Sequence, residues 1–138
     1  MRIVMDTNVL VSGMLTPFGV CGEIVRMLTS SNISLCVDSR ILFEYEDVLR
    51  RPRFQIEHNM IDVVMEYIES TSEAHNTTPL QKSLPDSDDN PFLEVALSAN
   101  VDCLVTGNVK HFPRDLCCGM RVLSPRKFID IIKERRTK

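Results

Sequence analysis

Short apolar runs that end in polar or acidic residues, separated by amphipathic stretches, constrain this chain more than any other feature. Arg2-Ile3-Val4-Met5 leads straight into Asp6-Thr7-Asn8, and Ser34-Leu35-Cys36-Val37 leads into a helical pattern carrying Glu44. Asp102-Cys103-Leu104-Val105 ends in Thr106-Gly107-Asn108, and Arg121-Val122-Leu123 runs into Ser124-Pro125. Strand-like runs alternating with helix-like ones predict a parallel sheet covered by helices, the α/β class. A chain of 138 residues fits one domain, 1–138, large enough for its own core. In such a sheet the residues just past the strands' carboxyl ends face one edge, and ligands bind there.

The helices read from their periodicity. Pro17, Gly19 and Gly22 predict a loop, after which Ile24, Val25 and Leu28 start a helix. Ser39 is the expected cap of the next one, whose apolar arc is Ile41, Leu42, Tyr45, Val48 and Leu49, and Pro52 ends it. Ile61, Val64, Met65 and Ile68 fall at i, i+3, i+4 and i+7 of a longer helix. Residues 74–85 read as irregular, with room for a short edge strand. Asn90-Pro91 opens a deeply packed helix through Phe92, Val95, Ala96 and Ala99, and Phe128, Ile131 and Ile132 are the expected buried stripe of the last.

No apolar run approaches the roughly 20 residues of a membrane helix, and the N-terminus does not read as a secretory signal. A cytoplasmic protein with no membrane association is therefore expected. Five cysteines and three scattered histidines show no zinc spacing, and Cys36 and Cys103 read as core residues. The net charge of −3 hides an asymmetry: residues 109–138 hold nine Lys/Arg against three Asp/Glu, and residues 1–108 hold seven against sixteen. If the acids Asp6, Glu44, Asp86, Asp88 and Asp89 gather around a cation, the rest of the chain is mildly basic and open to a phosphate backbone.

Those acids carry the chemical argument. Carboxylates converging on one edge repel each other and are best tolerated around a divalent cation. Asp6 alone reads equally as a turn or cap residue. The helix dipole accounts for one or two acids at the start of a helix, but Asp86-Ser87-Asp88-Asp89 holds three within four residues. On the helical wheel Glu44 and Glu46 each border the apolar arc and Asp47 faces away, so pattern excludes Asp47 and leaves the other two open.

Several segments, taken together, resemble a PIN domain, the fold named after the N-terminal domain of the PilT protein. They are Val4-Met5-Asp6-Thr7-Asn8-Val9-Leu10-Val11-Ser12, the stretch Ile41-Leu42-Phe43-Glu44-Tyr45-Glu46-Asp47-Val48-Leu49-Arg50-Arg51-Pro52-Arg53-Phe54, then Asp86 through Ala96, and Leu104-Val105-Thr106-Gly107-Asn108. The chain is most similar to stand-alone PIN proteins that act as toxins of toxin–antitoxin pairs. The resemblance implies a three-layer α/β/α sandwich with a central, mostly parallel sheet, and an acidic pocket for Mg2+ or Mn2+. It puts the family's acids on Asp6, Glu44 and Asp89, with Asn108 where many members have a fourth acid. The implied activity is metal-dependent endoribonuclease cleavage, with Asp6 and Asp89 holding the metal and Glu44 joining directly or through water. Asn8, Thr106 and Lys110 are the implied substrate contacts, Thr7 and Asn108 are candidates for orienting the phosphate or waters, and Arg50, Arg51, Arg53 and Arg114 for guiding the RNA. The implied partners are RNA and an antitoxin protein; Met60, Val63 and Tyr67, off the main stripe of their helix, suit either a face that a second copy covers or packing under residues 74–85.

Two other readings compete. A phosphoaspartate protein needs a second acid next to the first, and Asp6-x-Asn8 lacks it. A non-catalytic RNA- or protein-binding module with a degenerate pocket is suggested by Asn108 and opposed by Asp6, Glu44 and Asp89.

Overall fold

The structure, a computed structural model, describes residues 1–30 and 33–136. Five strands form a wholly parallel sheet in the order β3-β2-β1-β4-β5: β1 (Arg2–Met5), β2 (Ser34–Val37), β3 (Glu73–Ala74), β4 (Cys103–Val105) and β5 (Val122–Leu123). The central strands are buried on both faces, so Ile3, Val4, Met5, Leu104 and Val105 are fully inaccessible. Strands of that kind read as unbroken apolar runs.

Six helices cover the sheet: α1 (Thr7–Leu15), α2 (Val20–Thr29), α3 (Ser39–Leu49), α4 (His58–Thr71), α5 (Asn90–Ala99) and α6 (Pro125–Arg136). From β1 the chain steps outward to β2 and β3, then returns through α5 to β4 on the other side of β1. Right-handed crossovers in opposite directions place their helices on opposite faces. In agreement, α5 packs across β1, β2 and β4, whereas α1 packs on α2 and α3, α2 on α6, and α3 on α4. The result is the three-layer α/β/α sandwich. The change of direction between β1 and β4 creates a crevice at their carboxyl ends, where this architecture binds its ligands.

The structure differs from the local sequence pattern in four places. Residues 7–15 form a helix with no counterpart in the sequence reading, because Thr7, Val9, Leu10, Val11 and Gly13 are all buried and leave no one-sided stripe. Gly22 belongs to α2 and not to the preceding loop; a Cβ there would collide with the Pro17 carbonyl, and a Cβ on Gly13 would lie 2.6 Å from Val25 Cγ2. Asp38, and not Ser39, caps α3: its Oδ1 accepts from the Ile41 amide at 3.0 Å. The buried stripe of α6 is Phe128, Ile129 and Ile132, with Ile131 only partly covered. Among the described residues no single helix is long and apolar enough to cross a membrane. Of the residues expected to offer a contact face, Met60 and Val63 are exposed, while Tyr67 is partly buried and donates its hydroxyl to the Leu28 carbonyl at 3.0 Å.

Candidate metal and nuclease site

Asp6 ends β1 beside β4, with its amide bonded to the Val105 carbonyl at 2.9 Å. The same pairing brings Thr106 alongside. Thr106 donates its hydroxyl to Asp6 Oδ2 at 2.7 Å and accepts from the Asn108 amide at 3.0 Å. Asn8 completes the frame: Nδ2 lies 3.4 Å from Asp6 Oδ2, and Oδ1 accepts from the Gly107 amide at 3.0 Å. Two turns, after β1 and after β4, thus lock together around one carboxylate. Thr106, expected as a substrate contact, is fully buried in this structure with its hydroxyl on Asp6. Asn8 has the same positioning task, while Asn108 and Lys110 are exposed at the rim.

Tyr45, fully buried, donates its hydroxyl to the Met5 carbonyl and pins α3 against the end of β1. This sets the neighbouring Glu44 beside the site, where Oε2 accepts from the Thr7 hydroxyl. Glu46 lies instead next to Arg50, 3.7 Å away. Of the two acids the helical wheel left open, Glu44 is thus the one whose side chain meets the residues after β1.

The acidic cluster before α5 divides. A 3-10 turn at Ser87–Asp89 has Asp86 as its cap, accepting from the Asp88 amide at 3.0 Å, and Asp86 and Asp88 stay exposed. Only Asp89 turns inward and is 9% exposed. Its buried Oδ2 receives no hydrogen bond; His111 Nδ1 is 3.3 Å away, an electrostatic neighbour outside hydrogen-bonding geometry. Burial, with the charges of Asp6 and Asp86, pushes the Asp89 carboxyl up to about 6, against the pull of His111. Burial also raises Asp6, opposed by Thr106, the Thr7 amide and His111. Glu44 is raised by burial and by Asp6 and Asp88, opposed by Thr7. His111 is a site residue the sequence reading missed, because it enters through a 3-10 turn (Val109–His111) that no periodicity announces.

Three carboxylates disfavoured as anions, one with a buried oxygen that makes no hydrogen bond and has His111 as its neighbour, form a set suited to an oxygen-seeking divalent cation. Asp6 and Asp89 would hold it. No three of these acids bring ligand atoms within 4.8 Å of one another, so at least one of them would reach a shared cation through water. Mg2+ and Mn2+ accept such an arrangement because they take one or two carboxylates and keep several waters.

The described residues with that tighter spacing are Cys36, Glu73 and His75, at the far side of the sheet. Arg2 already occupies their centre. Its Nη2 pairs with Glu73 at 3.0 Å and lies 3.3 Å from His75 Nε2, and its Nη1 donates to the Ala99 carbonyl at 2.8 Å. A guanidinium there neutralises the carboxylate and ties the two-residue strand β3 to β1, which is a structural role.

Glu94 is a second residue the sequence reading missed. It is 6% exposed in the middle of α5, pairs with Arg40 at 2.7 Å and accepts from the Leu80 amide at 3.1 Å. It joins α3, α5 and the irregular segment that leads to Asp89. Removing one partner of a buried pair costs about 3–5 kcal/mol. Because Arg40 is 44% exposed, Glu94→Ala is expected at or below the low end of that range, read as a loss of stability in urea unfolding.

The comparisons agree with the architecture. The crystal structure of VapBC2 from Rickettsia felis bound to a DNA fragment from their promoter superimposes with a TM-score of 0.60, over 90% of this chain and 98% of that one, at 14% identity. At that identity the likeness shows the fold. None of the curated proteins compared matches the chain. A family model described as PIN domain matches residues 2–110, which takes in β1 through β4 and every acid of the site, and the chain therefore belongs to the PIN domain family.

Proposed function

We propose that the protein is a metal-dependent endoribonuclease acting as the toxin of a toxin–antitoxin pair. The observation that carries the catalytic part is the convergence of Asp6, Glu44 and Asp89 at the switch point of the sheet, with Asp89 Oδ2 buried and unbonded. When bound, Mg2+ or Mn2+ would acidify a water and offset charge growing on the phosphate oxygens. The chain's own residues do the rest. Thr106 and Asn8 hold Asp6 in one orientation. Glu44, half-buried beside Thr7, would accept the proton of the attacking water. Lys110 and Arg114, exposed after β4, attract the backbone. The likeness to VapBC2 supports an antitoxin protein as partner; a basic side chain inserted among the acids would neutralise them and compete with the cation.

Labelled RNA incubated with the purified protein is expected to be cleaved with Mn2+ or Mg2+, and not with EDTA or by Asp89→Asn. Cleavage that survives both EDTA and the substitution would refute the reading. Asn108 at the position of a fourth acid favours a second reading, a binding module. RNA binding that is indifferent to magnesium titration, without cleavage, would establish that one.

A further inference from the structure

The groove beside the acidic site has a feature the chemistry above does not use. Phe43 is 74% exposed on α3, one residue before Glu44. The buried face of that helix consists of Ile41, Tyr45 and Leu49, so Phe43 contributes nothing to the core. It borders an open groove of about 520 Å3 together with Glu44, Arg51, Ser87, Asp88 and Pro91. It also lines a neighbouring groove with Arg50, Arg51 and Pro52, so its ring stands on the ridge between the two.

We infer that Phe43 is a stacking platform for a base of single-stranded RNA whose backbone crosses the acidic site, a reading that rests on the nuclease function proposed above. Three observations select this occupant. Charged side chains outnumber apolar ones around the ring, with Arg50, Arg51, Glu46 and Asp47 among the former against Leu42, Pro52 and Pro91, although the acids outnumber the arginines. A protein helix docking here would need contiguous apolar surface, whereas an exposed aromatic next to cations is how single strands are held without sequence readout. Arg51 is available to a phosphate, because its ion partner Asp47 is 3.6 Å away and both side chains are about half exposed. Arg40, by contrast, is committed to Asp38 at 2.6 Å and Glu94 at 2.7 Å. Finally, Glu44 lines the same groove and accepts from the Thr7 hydroxyl, so the groove reaches one acid of the site.

The test uses a single-stranded RNA carrying 2-aminopurine, with wild type, Phe43→Ala, Phe43→Leu and Phe43→Trp compared in Mn2+. Phe43→Ala is expected to raise KM about 5- to 150-fold, the range that loss of one stacked base implies, with the loss falling on KM and not on kcat. Wild type and Phe43→Trp should quench the fluorescent base, whereas Phe43→Ala and Phe43→Leu should not. Equal KM and equal quenching for wild type and Phe43→Ala would overturn the inference while leaving the nuclease intact. So would a Phe43→Ala protein with unchanged RNA affinity and an altered oligomeric state, which would make this a protein contact. A wild type that neither cleaves nor binds the RNA would remove the nuclease reading and this inference with it. Wild type that binds without cleaving, with quenching lost in Phe43→Ala, would sustain the platform and remove only the catalysis.

Discussion

Asp6→Asn is expected to fold normally and to lose RNA cleavage by a thousandfold or more. The substitution is nearly isosteric, and the amide keeps an oxygen for the Thr106 hydroxyl now 2.7 Å from Oδ2. What it removes is the negative charge at the centre of the site. Charge stabilisation by a bound cation supplies several kcal/mol, and each ~1.4 kcal/mol is a factor of ten in rate, which sets the scale of the loss. Asp6 is 6% exposed and burial raises its pKa, so its charge is a liability to the fold without a cation. Thermal stability in EDTA should accordingly be unchanged or higher in Asp6→Asn. Asp88→Asn is the internal control: Asp88 is exposed, belongs to the same acidic run, and should retain activity within a few-fold. Equal losses from Asp6→Asn and Asp88→Asn would mean that the acids act as a diffuse charge and not as a site.

The contrast between those two acids also shows how far the sequence could be read. The strands at 2–5, 34–37 and 103–105 were legible because central parallel strands, buried on both faces, must be apolar without interruption. Their order follows only from packing, yet it decides that Asp6 and Thr106 become neighbours. The helix at Thr7–Leu15 was not legible, since burial all around it erases the period on which helix reading depends. At the site, Asp6 and the run Asp86-Ser87-Asp88-Asp89 stood out as acids at element ends, but the run itself could not say which of its members turns inward, and only the family resemblance pointed to Asp89. The 3-10 turn decides that, with Asp86 spent on capping it. Glu44 and Glu46 are equivalent on a helical wheel; the Tyr45 hydroxyl on Met5 breaks the tie by fixing how α3 meets β1. Thr106 entered only through the resemblance, and its two hydrogen bonds, to Asp6 and from the Asn108 amide, depend on the pairing of β1 with β4, which has no local signal. Glu94 and His111 depend on contacts between distant elements and had no local signal.

Metal-free protein is expected to lose stability as pH rises from about 4 to about 6, and a divalent cation should restore it. In the folded state Asp89 keeps its proton up to about 6, because it is buried and faces Asp6 from β1 and Asp86 from its own turn, with His111 as partial compensation. Its ordinary value is 3.8. Between these values the folded state binds more protons than the unfolded one, so stability is greatest below the lower value and declines through the window. Asp89 is 13% exposed at its side chain, so screening is modest and the decline from this residue should approach 2–3 kcal/mol, at about 1.36 kcal/mol per pH unit. Asp6 and Glu44 are raised in the same direction and steepen it. A cation bound to the ionised acids acts oppositely, contributing about 2.7 kcal/mol at a hundred times its Kd, so urea midpoints with Mn2+ should hold level or rise above pH 6. Asp89→Asn separates the two effects by removing the buried charge: it should flatten the metal-free pH profile and abolish most of the Mn2+ shift. If Asp89→Asn keeps both the slope and the shift, the buried, unbonded Asp89 oxygen is not the metal's ligand, and the cation must be sought elsewhere on the sheet edge.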